Sequence, residues 1–323
     1  HGILSLIICL AGCLANIVNI VVLSRRELRR NAINRILCSL AVADFLLMLE
    51  YIPFACHMYL FPGRSLQTRY SYPWAVFVLF HAHFTLVAHT VSIWLTLSLA
   101  FWRYEVLKNG RHQRRKNGRR CHQRCTRTIA MAYIGSVLLC IPSFITFGIQ
   151  SEPIKNTNFT INHTQLPTAS SWSSSSTPLQ LPEAVIYKAH LWAYSVVMKL
   201  GPCLVLTVLT CWLVRRLWEA ERHHQSLTAN GQIRQTELVI PARNRRKLSH
   251  QTDRTTRMLV AVLVLFLVTE IPQGVMALLS GVLGRQFFIK CYSTGMGEIL
   301  DLLALLNSAI NFLLYCSMSR QFR

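Results

Sequence analysis

Several side chains that are costly away from water stand inside otherwise apolar runs of this chain. Asp44 closes Leu40-Ala41-Val42-Ala43-Asp44, Lys199 lies three residues before Pro202, and Glu270 lies two before Pro272. Asn16, Ser92, Asn307, Ser308 and Asn311 are similarly placed. A carboxylate removed from water needs a cation, a proton or several hydrogen-bond donors. Such positions are either hydrogen-bonding glue between helices or parts of a site. Asp301 and Glu298 are three residues apart and share one helix face. Glu50 lies one to two turns from Asp44. Around these carboxylates, His83, Phe84, Thr85, His89 and Gln273 are candidates to line one acidic cavity. For each His a purely structural role stands beside that reading, and Glu298 also reads as a solvated helix-end charge. The chain has no His-Glu-x-x-His, no serine nucleophile elbow and no phosphate loop, so its motifs argue against an enzyme. Cys121-His122-x-x-Cys125 has zinc-like spacing but sits in a cationic segment, which disfavours the metal.

The elements that must position these residues are apolar and long. The 323 residues are 52% hydrophobic and only 15% charged, with a mean hydropathy of +0.34, whereas a soluble domain carries about 25% charged residues. Disorder, a collagen-like repeat and a small disulfide scaffold are excluded by the same composition. Tyr70 to Trp102 is free of Asp, Glu, Lys and Arg, as are Thr128 to Ile149, Leu302 to Ser319 and His1 to Ser24. Met258 to Gly284 is broken only by Glu270, Ala189 to Val214 only by Lys199, and Ile36 to Phe61 only by Asp44 and Glu50. Each run reaches the roughly 20 residues that cross about 30 Å of hydrocarbon as a helix. Seven spans result, at about 1–23, 34–60, 73–106, 128–149, 187–217, 255–281 and 295–316. No barrel-type alternation is present, so the expected fold is all-α, a seven-transmembrane helix bundle forming a single domain over 1–323.

Cation placement sets the orientation. Of 34 Lys and Arg residues, 27 fall after span 1 (from Arg25), within Arg103–Arg127 and Arg215–Arg257, or at Arg320 and Arg323. Six lie in the opposite connections: Arg64, Arg69, Lys155, Lys188, Arg285 and Lys290. The positive-inside rule makes the rich side cytoplasmic, placing the N-terminus outside and the C-terminus inside. The net charge of +21 is thereby accounted for by topology and contacts with anionic lipids, not by nucleic acid. The outward segment Gln150–Tyr187 carries two N-glycosylation sequons, at Asn158 and Asn162, in a Ser/Thr/Pro-rich stretch. The chain opens inside span 1 without a Met and stops shortly after span 7, so further segments on both sides are expected. Ser226, Thr228, Ser249 and Thr252 are weak phosphorylation candidates.

Six short motifs, in order and each on its own span, carry a resemblance. They are Ala15-Asn16-Ile17-Val18, Leu40 to Asp44, Trp102-Arg103-Tyr104, the central Pro202, Phe266-Leu267-Val268-Thr269-Glu270-Ile271-Pro272 and Asn311-Phe312-Leu313-Leu314-Tyr315. Across nearly its whole length the chain resembles the rhodopsin-like (class A) G-protein-coupled receptors. The Trp-Arg-Tyr, Thr-Glu-Ile-Pro-Gln-Gly and Asn-Phe-Leu-Leu-Tyr variants, with Ser-Arg-Gln-Phe-Arg behind them, are similar to the invertebrate myosuppressin receptors and their nematode relatives, which bind FMRFamide-like neuropeptides.

The resemblance implies a plasma-membrane receptor for an amidated neuropeptide, coupled to a heterotrimeric G protein through inhibitory Gi/o signalling. It assigns Asp44, Ser92, Asn307 and Asn311 to a pocket for an allosteric sodium ion, with no other cofactor. It assigns Arg103 and Tyr104 to G-protein coupling. Glu270 stands where the family usually has Trp at the pocket floor, and Lys199 faces it in the resembled fold. A buried Lys199–Glu270 ion pair is therefore expected in place of the aromatic switch. The alternative is a protonated Glu270 with Lys199 snorkelling outward. Phe266, Pro272, Asn311 and Tyr315 complete the implied switch, and Pro202 and Pro272 let their helices bend. The ligand's arginine and neighbouring aromatic would complement Asp301, Glu298 and Glu50, with Thr85, His89 and Gln273 beside them. The usual disulfide from span 3 to the second outer loop lacks both cysteines, and Cys56 and Cys291, near the outer ends of neighbouring spans, are the candidates for a substitute pair. The rivals are a receptor for another peptide or a chemosensory cue, and a transporter or channel using Asp44, Glu270 and Lys199, although no internal repeat or pair of broken helices supports the latter. A retinal-binding opsin lacks the necessary Lys within Met296–Met318.

Overall fold

The computed structural model describes residues 1–60, 71–116, 118–153, 170–176, 192–229, 264–283, 287 and 295–318. Its principal helices are α1 (Gly2–Leu23), α2 (Ala32–Ala55), α3 (Tyr72–Lys116), α4 (Gly118–Thr146), α5 (Gly201–Ala229), α6 (Val264–Leu283) and α7 (Gly297–Met318). The first six are long and apolar enough to cross a membrane, and α7 completes a seven-helix bundle. α1 packs on α2 and α7, α2 on α3, and α3 on both α4 and α5.

The burial pattern is that of a bundle in lipid. In α1 the buried stripe is Ser5, Cys9, Gly12, Cys13, Asn16, Asn19 and Leu23, mostly small or polar. Its exposed residues include Ile3, Leu4, Ile7, Leu10, Leu14 and Val21. Large aliphatics outward and small or polar groups inward is what helix association in hydrocarbon favours, because lipid offers no hydrophobic gain for hiding Leu. Three apolar clusters tie the bundle. One joins α2, α3 and α4 through Ile36, Leu40, Leu95, Trp102 and Ala132. A second joins α1, α2 and α7 through Cys9, Leu47, Met48 and Leu305. The third joins α3, α5 and α6 through Ile93, Leu97, Cys203, Leu206 and Phe266.

The sequence boundaries shift in four places. α3 runs to Lys116 and α4 starts at Gly118, so most of the basic stretch expected as a loop is helical. Lys, Arg and Gln are good helix formers and no Pro interrupts them. Beyond α4, β1 (Phe147–Pro153) pairs antiparallel with β2 (Ser170–Ser176), Phe147 opposite Ser176 and Pro153 opposite Ser170, the one strand pair among the described residues. Before α5, Tyr194–Leu200 forms a π-helical segment, and Cys56–Leu60 does the same after α2, whose last turn contains Pro53.

The π segment has a local cause. Pro202 brings no backbone N–H to the ladder, and the Gly201 N–H reaches back five residues to the Val196 carbonyl. Glycine is required for that approach, since a Cβ on Gly201 would lie 2.7 Å from the Val196 oxygen. The π turn inserts one extra residue and re-aims the helix beyond it, and Lys199 lies within it. Replacing Gly201 by Ala is expected to destabilise the detergent-solubilised protein by about 1–3 kcal/mol, the usual cost of overpacking, seen as an earlier thermal midpoint. A midpoint equal to that of the parent protein would remove the close-approach argument.

Candidate functional site

The interior polar groups are strung along one face of α3. His81, Thr85, His89 and Ser92 recur at spacings of three and four, so they form a single stripe. Each meets a carboxylate from a neighbouring helix.

At one end of the stripe, His81 Nδ1 lies 2.8 Å from the Glu50 carboxylate of α2 and Thr85 Oγ1 donates to it at 3.3 Å. The His81 ring stacks on Phe54 at 4.0 Å between centroids and meets Tyr51 edge-on at 5.4 Å. Asp301 on α7 is partly buried and close enough to His81 and Glu298 for their charges to interact, and Glu298 is exposed. Among the described residues, no Lys or Arg pairs with Glu50, Asp301 or Glu298.

In mid-bundle the arrangement is different. Lys199 and Glu270 are 1% and 0% exposed, and the Lys199 ammonium sits 2.8 Å from Glu270 Oε2. His89 Nε2 lies 3.1 Å from Glu270 Oε1, and Asn307 Nδ2 donates to the same oxygen at 3.3 Å. The carboxylate thus has three partners, from α3, α7 and the π segment before α5. Lys199 also donates to Gln273 Oε1 and stands 5.9 Å from the centre of the Tyr194 ring. Gln273 Nε2 donates to the Leu300 carbonyl of α7 at 2.9 Å. Ser195 Oγ donates to the Gly274 carbonyl at 2.7 Å, closing the seam between the π segment and α6. Phe266 lies one turn from Glu270 in the third apolar cluster, and Pro272 stands two residues beyond Glu270 in the same helix.

Further along, Ser92 Oγ donates to Asp44 Oδ1 at 2.9 Å, and Asp44 is fully buried. Asn16 Nδ2 donates to the Gly12 carbonyl at 3.0 Å and to that of Ser308 at 3.5 Å, joining α1 to α7. Of the residues expected around a sodium ion, Asp44 and Ser92 meet among the described residues. Asn307 donates its amide nitrogen to Glu270, a buried carboxylate that demands donors. Asn311 and Tyr315 lie on α7 where side chains are outside the described residues. The two present groups fit a cation as anionic and hydroxyl oxygens.

The remaining sequence candidates are dispersed over the bundle. Arg103 is partly buried on α3, and the neighbouring Tyr104 ring lies 5.9 Å from that of Trp212 on α5. His83 turns from the carboxylates and packs against Phe144 of α4 at 4.4 Å. Phe84 lies against Phe80 at 5.4 Å. Cys56 has a free thiol and Cys291 lies outside the described residues, as do Asn158 and Asn162. In the Cys121-His122-x-x-Cys125 stretch, Cys125 is buried and donates to the Ala32 carbonyl at 3.4 Å, while His122 Nδ1 faces Arg35 at 3.0 Å. Among the described residues no three metal-capable side chains gather. Sequence reasoning missed His81, although its place four residues before Thr85 and eight before His89 was the available signal. It also missed Ser195, for which no signal existed.

The sequence matches the family described as the serpentine type 7TM GPCR chemoreceptor Srw over residues 3–323. It is 31% identical to the G-protein coupled receptor dmsr-1 of Caenorhabditis elegans over 100% of this chain and 66% of that protein. It is 24% identical to the Drosophila melanogaster sex peptide receptor, over 96% of this chain and 67% of the relative. It is also 24% identical to the Drosophila melanogaster FMRFamide receptor, over 100% of this chain and 52% of the relative. The chain therefore spans between half and two thirds of these curated relatives. It belongs to the serpentine seven-transmembrane G-protein-coupled receptor family and is a multi-pass membrane protein; the family is one of receptors rather than enzymes.

The Lys199–Glu270 contact generates a direct test. Removing one member of a buried pair costs about 3–5 kcal/mol because the other charge is left alone. Lys199→Glu and Glu270→Lys should each abolish agonist response and lower the thermal midpoint. The double reversal should recover both in large part, since His89 can change tautomer and Asn307 can turn its amide. A double variant no better than the worse single one would mean that the two side chains do not act as a pair.

Proposed function

We propose that this receptor is of the rhodopsin-like (class A) type and binds an amidated neuropeptide of the Arg-Phe-amide or myosuppressin-like kind, with inhibitory Gi/o coupling. The observation that carries the ligand reading is the contrast between its two polar centres. Glu270 is neutralised by Lys199 and saturated with donors. Glu50 and Asp301 have no Lys or Arg of this chain beside them among the described residues. A cationic side chain of a ligand supplies the missing charge, and the aromatic surfaces of Tyr51 and Phe54 next to Glu50 suit a neighbouring phenyl ring. The relatives named as an FMRFamide receptor and a sex peptide receptor support a peptide ligand.

On this reading Asp301, Glu298, Glu50, Thr85, His89 and Gln273 form the ligand surface. Glu270, Lys199, Phe266, Pro272, Asn311 and Tyr315 form the switch between the ligand and the G protein, which docks around Arg103 and Tyr104. A sodium ion held by Asp44 and Ser92 would supply countercharge in the resting state. The N-terminus faces outward, carrying glycans at Asn158 and Asn162, and the basic inner segments contact anionic lipids. Whatever the ligand, it acts only through higher affinity for one arrangement of the helices than for the other.

The family description as chemoreceptors favours a second reading, a small chemosensory ligand. Agonist-stimulated nucleotide exchange in membranes separates the two, using full-length receptor, a panel of amidated Arg-Phe peptides, and pertussis toxin. Peptide-driven exchange that the toxin abolishes is the expected result, with Asp301→Asn weakening potency about ten- to a hundredfold, the size of one charge-assisted hydrogen bond. Silence toward every peptide at confirmed surface expression would move the assignment to the chemosensory ligand.

A further inference from the structure

The deep centre contains a polar atom that none of its internal contacts uses. His89 is 6% exposed, its Nε2 faces the Glu270 carboxylate, and its Nδ1 is buried without a hydrogen-bond partner. The other groups there are committed. Lys199 reaches Glu270 and Gln273, Gln273 reaches Leu300 with its amide nitrogen, Asn307 reaches Glu270, and Thr269 Oγ1 donates to the Phe266 carbonyl at 3.0 Å. An unpaired polar atom in such a place costs as much as a lost hydrogen bond.

Its chemical character is set by its neighbours. A ring nitrogen facing a carboxylate must carry the proton, so Nε2 is the donor. Lys199 already supplies the one positive charge that balances Glu270, so the pair asks no charge of the ring. With its proton on Nε2, the ring offers a lone pair at Nδ1. Nδ1 therefore asks for a donor, and a carboxylate brings none.

We propose that His89 Nδ1 is the subsite for the N–H of a terminal carboxamide, and that it makes the receptor select an amidated peptide over the same peptide ending in a free acid. The proposal rests on the peptide-ligand reading above. A primary carboxamide brings two N–H donors and no charge. A free carboxylate brings no donor, and it would compete with Glu270 for Lys199, leaving one of two buried carboxylates without a countercharge. Selectivity of this type is large because the wrong end group leaves buried polar atoms unpaired. His89 is thus a specificity-determining residue for the ligand's end group, while Lys199 and Glu270 hold the ring in the required tautomer.

Two substitutions separate the ring's nitrogens. His89→Gln places a polar group where Nε2 was and keeps the contact to Glu270, but it removes the acceptor at Nδ1. His89→Asn keeps an amide oxygen near the Nδ1 position and gives up the Glu270 contact. The experiment measures nucleotide exchange by full-length receptor against an Arg-Phe-amide peptide and its free acid, with surface expression measured for each variant. The expected result is an amide-over-acid potency ratio that falls about tenfold or more in His89→Gln and is largely retained in His89→Asn. A ratio unchanged in His89→Gln, with the parent receptor amide-selective, overturns the subsite and leaves the peptide reading standing. The subsite is equally overturned if both variants lose selectivity to the same degree, because the ring would then act only through Glu270. A parent receptor that responds to neither peptide sinks the peptide reading, and this proposal with it.

Discussion

A lysine and a glutamate buried to the last few percent of their surface impose the strictest requirement in this bundle. Withdrawing two full charges from water costs several kcal/mol each, and that is offset only if they meet and their remaining hydrogen-bonding capacity is filled. The surrounding helices satisfy the requirement in detail. α3 brings His89, α7 brings Asn307, α6 brings Gln273 as well as Glu270, and Tyr194 lies beside the ammonium. The π segment before α5 belongs to the same solution. It places Lys199 in the interior, and it exists because Gly201 can approach the Val196 carbonyl and Pro202 offers no competing N–H. Gly274 contributes by leaving room: a Cβ there would stand 3.1 Å from that of Lys199.

This pair also divides the interior into two regions with different duties. Where Lys199 and Glu270 neutralise each other, the cluster is closed in charge and nearly closed in hydrogen bonding, which suits a device that links helices. Where Glu50 and Asp301 stand without a Lys or Arg partner among the described residues, the proposed ligand surface keeps carboxylates available. The polar stripe of α3 touches both regions and continues to Asp44 through Ser92. A ligand that alters His81, Thr85 or His89 therefore acts on the helix that also carries Arg103. Such coupling needs no wire of contacts, only two packings of α3, α5 and α6 that the ligand distinguishes.

Much of this architecture is legible in the amino-acid sequence. Seven charge-poor runs of membrane-crossing length set the helices, and burial in lipid leaves little freedom to do otherwise. The meeting of Lys199 with Glu270 is implied by the resembled fold combined with the cost of isolated charge. Other features have no such forcing term. The hairpin of Phe147–Pro153 with Ser170–Ser176 is hidden because a run of serines shows no apolar alternation. The helical continuation of α3 is hidden because hydropathy marks where lipid ends, not where a helix ends. The resemblance assigns Asn307 to the ion pocket of Asp44, and its amide nitrogen meets Glu270; spacing along one helix does not reveal which neighbours an amide reaches. His81 escapes for the opposite reason, since its period along α3 is present in the sequence and goes unused.

In the proposed switch, the Lys199–Glu270 pair holds α5 and α6 in the resting arrangement. Spin labels near Arg103 on α3 and near Val264 on α6, read by double electron–electron resonance in ligand-free receptor, test it most directly. Neutralising the acid by Glu270→Gln should shift the distance distribution toward the one that agonist produces in the parent receptor. A distribution that stays at the resting distance in the folded variant would show that the pair is a local fixture and that something else sets the balance between the two arrangements.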